Sequence, residues 1–476
     1  MTTIEPDLCR DAVVVLPGIM GSELVETATD TVLWGLADPG WYVNAWTTGG
    51  SLRALAVTDA ERNGLTGRVQ ATRTLRVPAF APSLRGFEPY TKLLATVKRF
   101  VVDAAAVREF AYDWRLAIDY NAAELAKVAE EHLKSWQRHP KGSRDARLVL
   151  VAHSMGGLVA RYFTGVLGGA RDVRATITLG TPFYGAVKAV VMLSTGRGAP
   201  LPLPRRRLRR LAQTMPGLHD LLPTYRCVDQ GTSSRRLDAT DIAALGGDQE
   251  LAQQAFDRRA QLLAGGSAGL HALVGVQQPT MQSVRIADGI AEPLFYTCLD
   301  APHGGLQRVD RRGDSTVYRD AAAPESLEPA YLPQSHMALA ASEEAVAHAC
   351  AVVTGRKLGP PLGEGGVGLE LPDVVQAGEV FEIVAADVED PAAVTCNVER
   401  IDQDGSRLVD RPDFGKRRIA GAAALQESSL VARAMLPKPG MYRIEVHRGA
   451  ASAVSQIILA IESSTSNGAD QADLVE

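Results

Sequence analysis

Cysteine is scarce in this chain, and its few cysteines are not arranged in pairs. Only five occur among 476 residues, and no two of them form a C-x-x-C motif. An odd number of widely spaced cysteines argues against a disulfide framework and against a zinc-finger spacing. A reducing compartment suits such a chain, so we expect a cytoplasmic protein.

Features that indicate a nucleic-acid partner or a membrane span are also missing. The chain has 50 Lys plus Arg against 55 Asp plus Glu, a formal net charge of −5, so no global positive field attracts nucleic acid. No apolar run approaches the roughly 20 residues that span a bilayer. Glu5, Asp7 and Asp11 precede only a short apolar run, which is not typical of a secretory signal. We therefore expect no nucleic-acid partner and no transmembrane segment.

An apolar run that breaks at a turn of small residues is the most informative feature. Residues 147–163 read RLVLVAHSMGGLVARYF, which predicts a strand, a sharp turn and a helix. This is the pattern of a nucleophile elbow, in which a tight turn presents one serine hydroxyl at the edge of a sheet. The serine is Ser154, with Ala152 where glycine is usual and Gly156 on the other side. The alternative interpretation is a buried serine beside a structural histidine at a helix start.

A serine nucleophile of this kind needs an acid and then a histidine later in the chain. Asp314, in the polar turn GDSTV, is the predicted orienting acid, and Asp310 and Asp300 are its competitors. His336 is the predicted general base, because it follows the acid and opens a helix predicted over residues 337–353.

Two other histidines are weaker candidates for the base. His153 is adjacent to the nucleophile, so we expect it to point away from Ser154 on the turn. His303 lies in a loop rich in proline and glycine and has no predicted partner.

An early strand and turn predict the site that stabilises an oxyanion. Residues 12–16 form an apolar strand, and PGIMG follows directly. A backbone amide from such a loop acts together with the amide after the nucleophile. We therefore predict Met20 and Met155 as the two donors; the alternative is a plain glycine turn.

Two segments are predicted to cover the site. Residues 34–72 are irregular and contain several aromatics, which predicts a lid for an apolar or interfacial substrate, or aromatics that fill a satellite core. Residues 188–265 are predicted to form an inserted cap. Within the cap, residues 201–210 read LPLPRRRLRR, a basic cluster that fits either anionic lipid headgroups or a solvated helix face.

Several motifs together resemble the lecithin:cholesterol acyltransferase family: PGIMG, YDWR, AHSMGG, LGTP, GDSTV and the final His336. The resemblance covers residues 10–355 and implies an α/β-hydrolase fold and action as a phospholipase or acyltransferase on glycerolipids. By position it implies that Ser154, Asp314 and His336 are the catalytic residues and that Met20 lies in the oxyanion loop. It also implies that Asp113 and Trp114 line or support the acyl site, to which we add Trp46 of the lid.

The composition changes after the α/β region. Residues 1–355 are predicted as the α/β-hydrolase domain, residues 356–366 as a linker rich in proline and glycine, and residues 463–476 as a disordered tail. Residues 367–462 are predicted as an immunoglobulin-like β-sandwich. Its predicted strands are 380–385, 394–400, 430–435, 441–446 and 454–461. This domain is expected either to bind a protein, a glycan or a lipid surface, or to be passive.

The chemistry expected from these residues needs no cofactor and no metal. Ser154 attacks an ester carbonyl, His336 takes its proton, and Asp314 orients the imidazole. The resulting acyl-enzyme passes its acyl group to water or to an alcohol. We expect a lipid acyl-ester hydrolase or O-acyltransferase that contacts membranes only peripherally. The alternatives are a non-lipid serine carboxylesterase or amidase, and a non-catalytic binding protein.

Overall fold

The fold is known from a computed structural model that describes most of the chain. The described residues are 8–35, 41, 44–45, 47–75, 90–198, 203–301, 304–356, 367–372, 374–402, 405–416, 429–449 and 453–462. The predicted tail, most of the predicted linker, Trp46 and His303 lie outside the described residues.

A six-stranded parallel sheet forms the centre of residues 8–356. The strands of this part of the chain are β1 (Ala12–Leu16), β2 (Ser22–Glu26), β3 (Thr31–Trp34), β4 (Val69–Thr74), β5 (Val107–Glu109), β6 (Leu148–His153), β7 (Val173–Leu179), β8 (Val228–Asp229), β9 (Ser234–Arg235), β10 (Leu270–Gly275), β11 (Ser283–Ala287), β12 (Ile290–Leu294), β13 (Thr297–Asp300), β14 (Leu306–Val309) and β15 (Ala330–Leu332). The central sheet has the order β15-β10-β7-β6-β1-β5, and all its neighbouring pairs are parallel. β1 and β6 are buried along their whole length, as expected for parallel strands covered on both faces.

Helices cover this sheet and carry the cap. They are α1 (Gly50–Ala54), α2 (Asp59–Arg62), α3 (Tyr90–Arg99), α4 (Ile118–Arg138), α5 (Met155–Gly165), α6 (Val187–Thr195), α7 (Arg205–Gln213), α8 (Pro216–His219), α9 (Ala239–Ala244), α10 (Gln249–Ala264) and α11 (Glu343–Val353). α5 follows β6 and leads to β7, the neighbouring parallel strand. This strand, helix and strand arrangement with the elbow at its turn is the α/β-hydrolase fold, so the predicted fold class is confirmed.

The segment 34–72 is more regular than predicted. It contains α1 and α2 and begins and ends in strands of the antiparallel sheet β3-β2-β4. Trp34 and Trp41 are buried, and their rings meet edge to face at 5.3 Å. For these two residues the alternative interpretation, aromatics that pack into a core, is therefore correct.

A long excursion separates the adjacent parallel strands β7 and β10. It holds α6 to α9 and the short strands β8 and β9, and it ends with α10, which packs on α5 of the elbow. α10 is therefore a crossover helix, because it returns the chain to the sheet at β10. It lies within the segment that was predicted as the cap.

Residues 367–462 form two sheets around a core of their own. The strands are β16 (Gly368–Glu370), β17 (Val374–Gln376), β18 (Val380–Ala386), β19 (Val394–Asp402), β20 (Gly405–Asp410), β21 (Gly415–Lys416), β22 (Ser429–Met435), β23 (Gly440–Arg448) and β24 (Val454–Ile461). One sheet has the order β16-β18-β22-β21, and the other has the order β17-β24-β23-β19-β20. With β18, β22 and β21 as strands B, E and D and β19, β23 and β24 as C, F and G, this is the immunoglobulin arrangement.

Alternating burial explains why the longer strands of this sandwich were predictable. In β23, Tyr442, Ile444 and Val446 are fully buried between the sheets, whereas Arg443 and Glu445 point to the opposite face. The sequence-based prediction missed β20, which is six residues long and exposed over residues 406–410. It also missed β16, β17 and β21, which are two or three residues each. Strands this short carry almost no alternation.

Among the described residues, no helix combines the length and the apolar character that crossing a bilayer requires.

Candidate active site

The turn after β6 has the strained geometry of a nucleophile elbow. Ser154 has φ 53° and ψ −127°, a conformation that non-glycine residues rarely adopt. A side chain at Gly156 would collide with the Pro17 carbonyl, and one at Gly157 would collide with the Thr181 side chain. The two glycines therefore allow α5 to begin directly under the loop after β1.

Three residues from distant parts of the chain meet at this turn. His336 Nε2 lies 2.8 Å from Ser154 Oγ, and His336 Nδ1 lies 2.7 Å from Asp314 Oδ2. All three side chains are almost completely buried. The structure thus brings together the predicted nucleophile, base and acid in hydrogen-bonding order.

Asp314 is held so that one carboxylate oxygen remains for the histidine. Its Oδ1 accepts the amides of Thr316 and Val317 at 3.0 and 2.7 Å, and its carbonyl accepts the His336 amide at 2.7 Å. A methyl group at Gly275, the last residue of β10, would lie only 2.5 Å from the Asp314 Cβ. The end of β10 therefore has no room for a side chain beside the acid.

The two competing acids are engaged elsewhere. Asp310 pairs with Arg312 at 3.2 Å, and Asp300 pairs with Arg226 at 2.7 Å. Neither contacts His336, so the geometry favours Asp314 over both.

The helix predicted from residue 337 begins later. A short 3-10 turn, Ala338–Ala340, follows His336, and α11 starts at Glu343. Ser342 is the N-cap, since its hydroxyl accepts the Ala345 amide at 3.4 Å. His336 therefore lies on a loop between β15 and α11 instead of opening a helix.

The loop after β1 passes directly over Ser154. A Cβ on Gly18 would lie 2.9 Å from the Ser154 Cβ, and Met20 lines the same cavity as Ser154 with a φ of 61°. Met155 is the first residue of α5, so its amide has no acceptor within the helix. Met155 thus directly follows the nucleophile and Met20 lines the same cavity, and their role as oxyanion donors stays a prediction.

His153 does not simply turn away from the site, as the sequence suggested. Its Nε2 lies 3.0 Å from the His336 carbonyl, and its Nδ1 lies 3.0 Å from the Tyr90 hydroxyl, which accepts the Gly18 amide at 2.8 Å. Burial first, and the neighbouring His336 second, lower the pKa of His153 to about 3. A neutral His153 that carries its proton on Nε2 satisfies this whole chain of hydrogen bonds. Tyr90 and His153 therefore tie the loop after β1 to the loop of His336, a link that the sequence analysis missed.

A cavity of about 760 Å³ opens onto Ser154 and His336. One part of its wall is apolar and comes from α1, α7 and the start of α8, including Leu52, Leu55, Leu208, Leu211 and Met215. Its size is typical of pockets that enclose a small organic ligand.

The side chains of the YDWR motif mainly form hydrogen bonds and ion pairs that hold the segments around the site in place. The Tyr112 hydroxyl donates to the Pro17 carbonyl at 2.9 Å, and the Trp114 indole donates to the Ser22 carbonyl at 3.1 Å. Trp114 also lines the cavity, as predicted from the resemblance. Trp46, the third predicted substrate contact, lies outside the described residues.

Asp113 does not lie at the cavity, where a residue that contacts substrate is expected. Its two carboxylate oxygens accept from Arg115 at 2.9 and 2.6 Å. Arg115 is fully buried and also pairs with Glu61 of α2 at 2.9 Å. Asp113 therefore supports the site through an ion-pair network and does not bind substrate directly.

Arg115→Met is expected to destabilise the protein by about 3–5 kcal/mol, because it leaves buried carboxylates without their partner. In the native protein burial alone would raise the pKa of Glu61, but the Thr58 amide and Arg115 outweigh it and lower that pKa. Glu61 therefore stabilises the fold above its ordinary pKa, and this contribution is lost as the pH falls through the lowered value. Urea unfolding at neutral and acidic pH measures both effects.

The matched control is Arg285→Met, which breaks an ion pair with Glu292 at 3.4 Å in which both side chains are exposed. We expect it to change the unfolding free energy by about 1 kcal/mol or less. Equal unfolding free energies for the two variants would contradict a structural role for Arg115.

A family profile matches the middle of the chain. Residues 82–263 match the family described as lecithin:cholesterol acyltransferase. This segment includes YDWR and Ser154, but it ends before Asp314 and His336. The assignment of the acid and the base therefore rests on the hydrogen-bond geometry and not on the family match.

Individual relatives are distant or match only locally. An uncharacterized protein of Saccharomyces cerevisiae, YJR098C, is 44% identical over 54 residues, which are 11% of this chain and 7% of that protein. The chain is also similar to the solved Tle4-Tli4 complex, with 16% identity, a TM-score of 0.42, and 72% of this chain and 96% of that chain covered. The mature form of the Bacillus licheniformis lipase BlEst2 is similar over 58% of this chain and 71% of its own, at 14% identity and a TM-score of 0.27.

Proposed function

We propose that the protein is a serine-dependent hydrolase or O-acyltransferase of lipid acyl esters. The observation that carries this proposal is the hydrogen-bonded order of Ser154, His336 and Asp314 at a cavity of about 760 Å³, one wall of which is apolar. An acyl chain needs such a wall to leave water, and each buried methylene contributes about 0.8 kcal/mol. The match of residues 82–263 to the lecithin:cholesterol acyltransferase family supports the same substrate class, lipid acyl esters.

In the proposed mechanism, Ser154 Oγ attacks the ester carbonyl while its proton moves to His336 Nε2. Asp314 holds the imidazole by Nδ1 and stabilises the imidazolium. The amides of Met20 and Met155 donate hydrogen bonds to the carbonyl oxygen as negative charge develops on it, and one such donor is worth about 2.7–4 kcal/mol. His336 then protonates the leaving alcohol, and an acyl group remains on Ser154.

The second half of the reaction depends on the acceptor. His336 removes a proton from water or from an alcohol, whose oxygen attacks the acyl group and restores the Ser154 hydroxyl. Water gives a free fatty acid, and an alcohol gives a new ester. The mechanism needs no cofactor.

A lipid surface is the proposed partner, and α7 is the proposed contact. Leu208 and Leu211 of α7 line the cavity, whereas Arg206 and Arg210 are exposed on the same helix. A helix with this distribution suits the edge of an anionic bilayer, where each arginine near the surface contributes about 1 kcal/mol. The cytoplasmic location stays a prediction.

The test is mass spectrometry of lipid products. Wild type and Ser154→Ala are each incubated with mixed bacterial phospholipids, with and without a long-chain alcohol. Esters of the added alcohol made only by wild type would identify an acyltransferase, and fatty acid alone would identify a lipase or phospholipase. If neither product depends on Ser154, the lipid proposal fails, and short esters and amides become the substrates to examine.

A further inference from the structure

The immunoglobulin-like sandwich forms part of the wall of the catalytic cavity. Four of its polar residues on β23 and β24 line the cavity together with Ser154 and His336. They are Arg443, Glu445, Ser455 and Gln456. The sandwich also contributes the apolar Leu369, Ala453 and Val454, but its charged and polar side chains contrast with the apolar residues that α1 and α7 contribute.

Hydrogen bonds hold this wall next to the loop of His336. The Gln334 side-chain amide donates to the Ala453 carbonyl at 2.8 Å, and the Ser335 hydroxyl donates to the Ser455 carbonyl at 3.2 Å. Gln334 and Ser335 directly precede His336 in the chain. The position of β24 relative to the proposed base is therefore set by direct contacts.

The loop of Asp314 is fastened to the sandwich in the same way. The Gln278 side chain is buried; it donates to the Val367 carbonyl and accepts the Leu369 amide, both at 3.1 Å. The Gln278 backbone amide donates to the carbonyl of Gly313, the residue before Asp314, at 2.8 Å. With both loops attached, the sandwich keeps its polar face toward the reacting ester.

The charged side chains on this face of the sandwich favour a ligand that donates hydrogen bonds over an anionic ligand. Arg443 lies 3.8 Å from both Glu399 and Glu445, and His447 lies 3.9 Å from Glu445. Two carboxylates thus surround one guanidinium, and the Glu445 side chain keeps 25% of its surface exposed. A partly exposed carboxylate at a cavity wall can accept hydrogen bonds from a ligand.

We propose that β23 and β24 form the subsite for the alcohol portion of the ester, and that the Glu445 carboxylate there accepts hydrogen bonds from a hydroxyl group or attracts an ammonium group by its charge. This proposal rests on the proposed function. It makes the sandwich a specificity element: the acyl chain lies against the apolar wall, and a polar alcohol lies against the sandwich.

The test uses four palmitoyl esters that share the acyl chain and differ in the alcohol. They are 1-monopalmitoylglycerol, palmitoylcholine, 1-palmitoylglycerol 3-phosphate and 4-nitrophenyl palmitate. For Glu445→Gln, the kcat/KM of the glycerol and choline esters relative to the nitrophenyl ester is expected to fall about tenfold. The substitution removes the negative charge that strengthens hydrogen bonds from the glycerol hydroxyls and that attracts the choline cation. A ratio between substrates does not depend on the fraction of folded protein.

The matched control is Glu382→Gln on β18. Glu382 also pairs with an arginine, Arg433 at 3.6 Å, but neither residue lines the cavity. We expect this control to leave all the ratios unchanged.

Three results would overturn the subsite. One is an unchanged set of ratios in Glu445→Gln, and the second is an equal shift in Glu382→Gln. The third is a wild-type preference for the phosphate ester, since Lys92 and Lys188 line the cavity from α3 and α6 and would then bind the anion. Wild type that hydrolyses the nitrophenyl ester through Ser154 keeps the proposed function in all three cases. A wild type inert toward every ester would overturn both proposals.

Discussion

Ser154→Ala is expected to lower kcat for a palmitoyl ester by on the order of 10⁶-fold, because no other group can form the acyl-enzyme. Since Ser154 is the residue at the strained turn, alanine keeps a Cβ there and changes only the hydroxyl. The KM of any residual reaction should change little, because the apolar wall is intact. Steady-state hydrolysis of 4-nitrophenyl palmitate measures the effect.

The matched control for this variant is Ser315→Gly. Ser315 lines the same cavity, and its φ of 76° suits glycine, so the substitution removes a second serine hydroxyl without backbone strain. We expect a change of no more than about threefold, within the usual range for a residue outside the reacting centre. A comparable loss in both variants would mean that Ser154 is not the nucleophile.

Asp314→Asn is expected to lower kcat by about 10⁴-fold, the scale found when the orienting acid of a serine triad becomes an amide. Asp314 Oδ2 accepts from His336 Nδ1 at 2.7 Å, and its Oδ1 accepts two backbone amides. The asparagine oxygen is expected to keep the two amides, so the NH₂ group faces His336. An amide donor there favours the tautomer with the proton on Nε2, which cannot accept the Ser154 proton.

Asp310→Asn is the matched control for the acid. Asp310 is four residues away in the chain and pairs with Arg312, without contact to His336. It should retain activity within about threefold, as expected for a residue outside the reacting centre. A fall in Asp310→Asn as large as that in Asp314→Asn would overturn the assignment of the acid. The two variants are compared by kcat and KM with the same ester.

The elbow was predictable because its signal is local. The apolar strand, the small residues around Ser154 and the following helix lie within 17 consecutive residues, 147–163. Because an acid and then a histidine must follow Ser154 in the chain, only a few residues remained as candidates for these two roles. Residue type alone did not separate Asp314 from Asp310 and Asp300, because all three are acidic residues near turns. The resemblance of GDSTV favoured Asp314, and in the structure it is Asp314 that lies 2.7 Å from His336 Nδ1.

Contacts between distant segments explain what the sequence did not reveal. Tyr90 and His153 are 63 residues apart, and nothing in either local pattern indicates that they meet. The contact of Ser335 with Ser455 joins residues 120 positions apart. The β-sandwich was therefore predicted from its strands, but its place at the catalytic cavity was not.

The start of α11 was predicted wrongly for a different reason, since the sequence does contain a helix-start signal at the correct position. Ser342, Glu343 and Glu344 form a serine N-cap followed by acidic residues in the first turn. This pattern predicts a helix start at residue 343.

The most direct test of the central claim is covalent labelling with a long-chain alkyl fluorophosphonate, followed by peptide mass spectrometry. The proposed mechanism predicts one phosphonyl group on the peptide that contains Ser154, no label in Ser154→Ala, and greatly slowed labelling in His336→Ala, because the base activates the serine. Labelling of another residue, or an unchanged rate in His336→Ala, would contradict the proposed roles of Ser154 and His336.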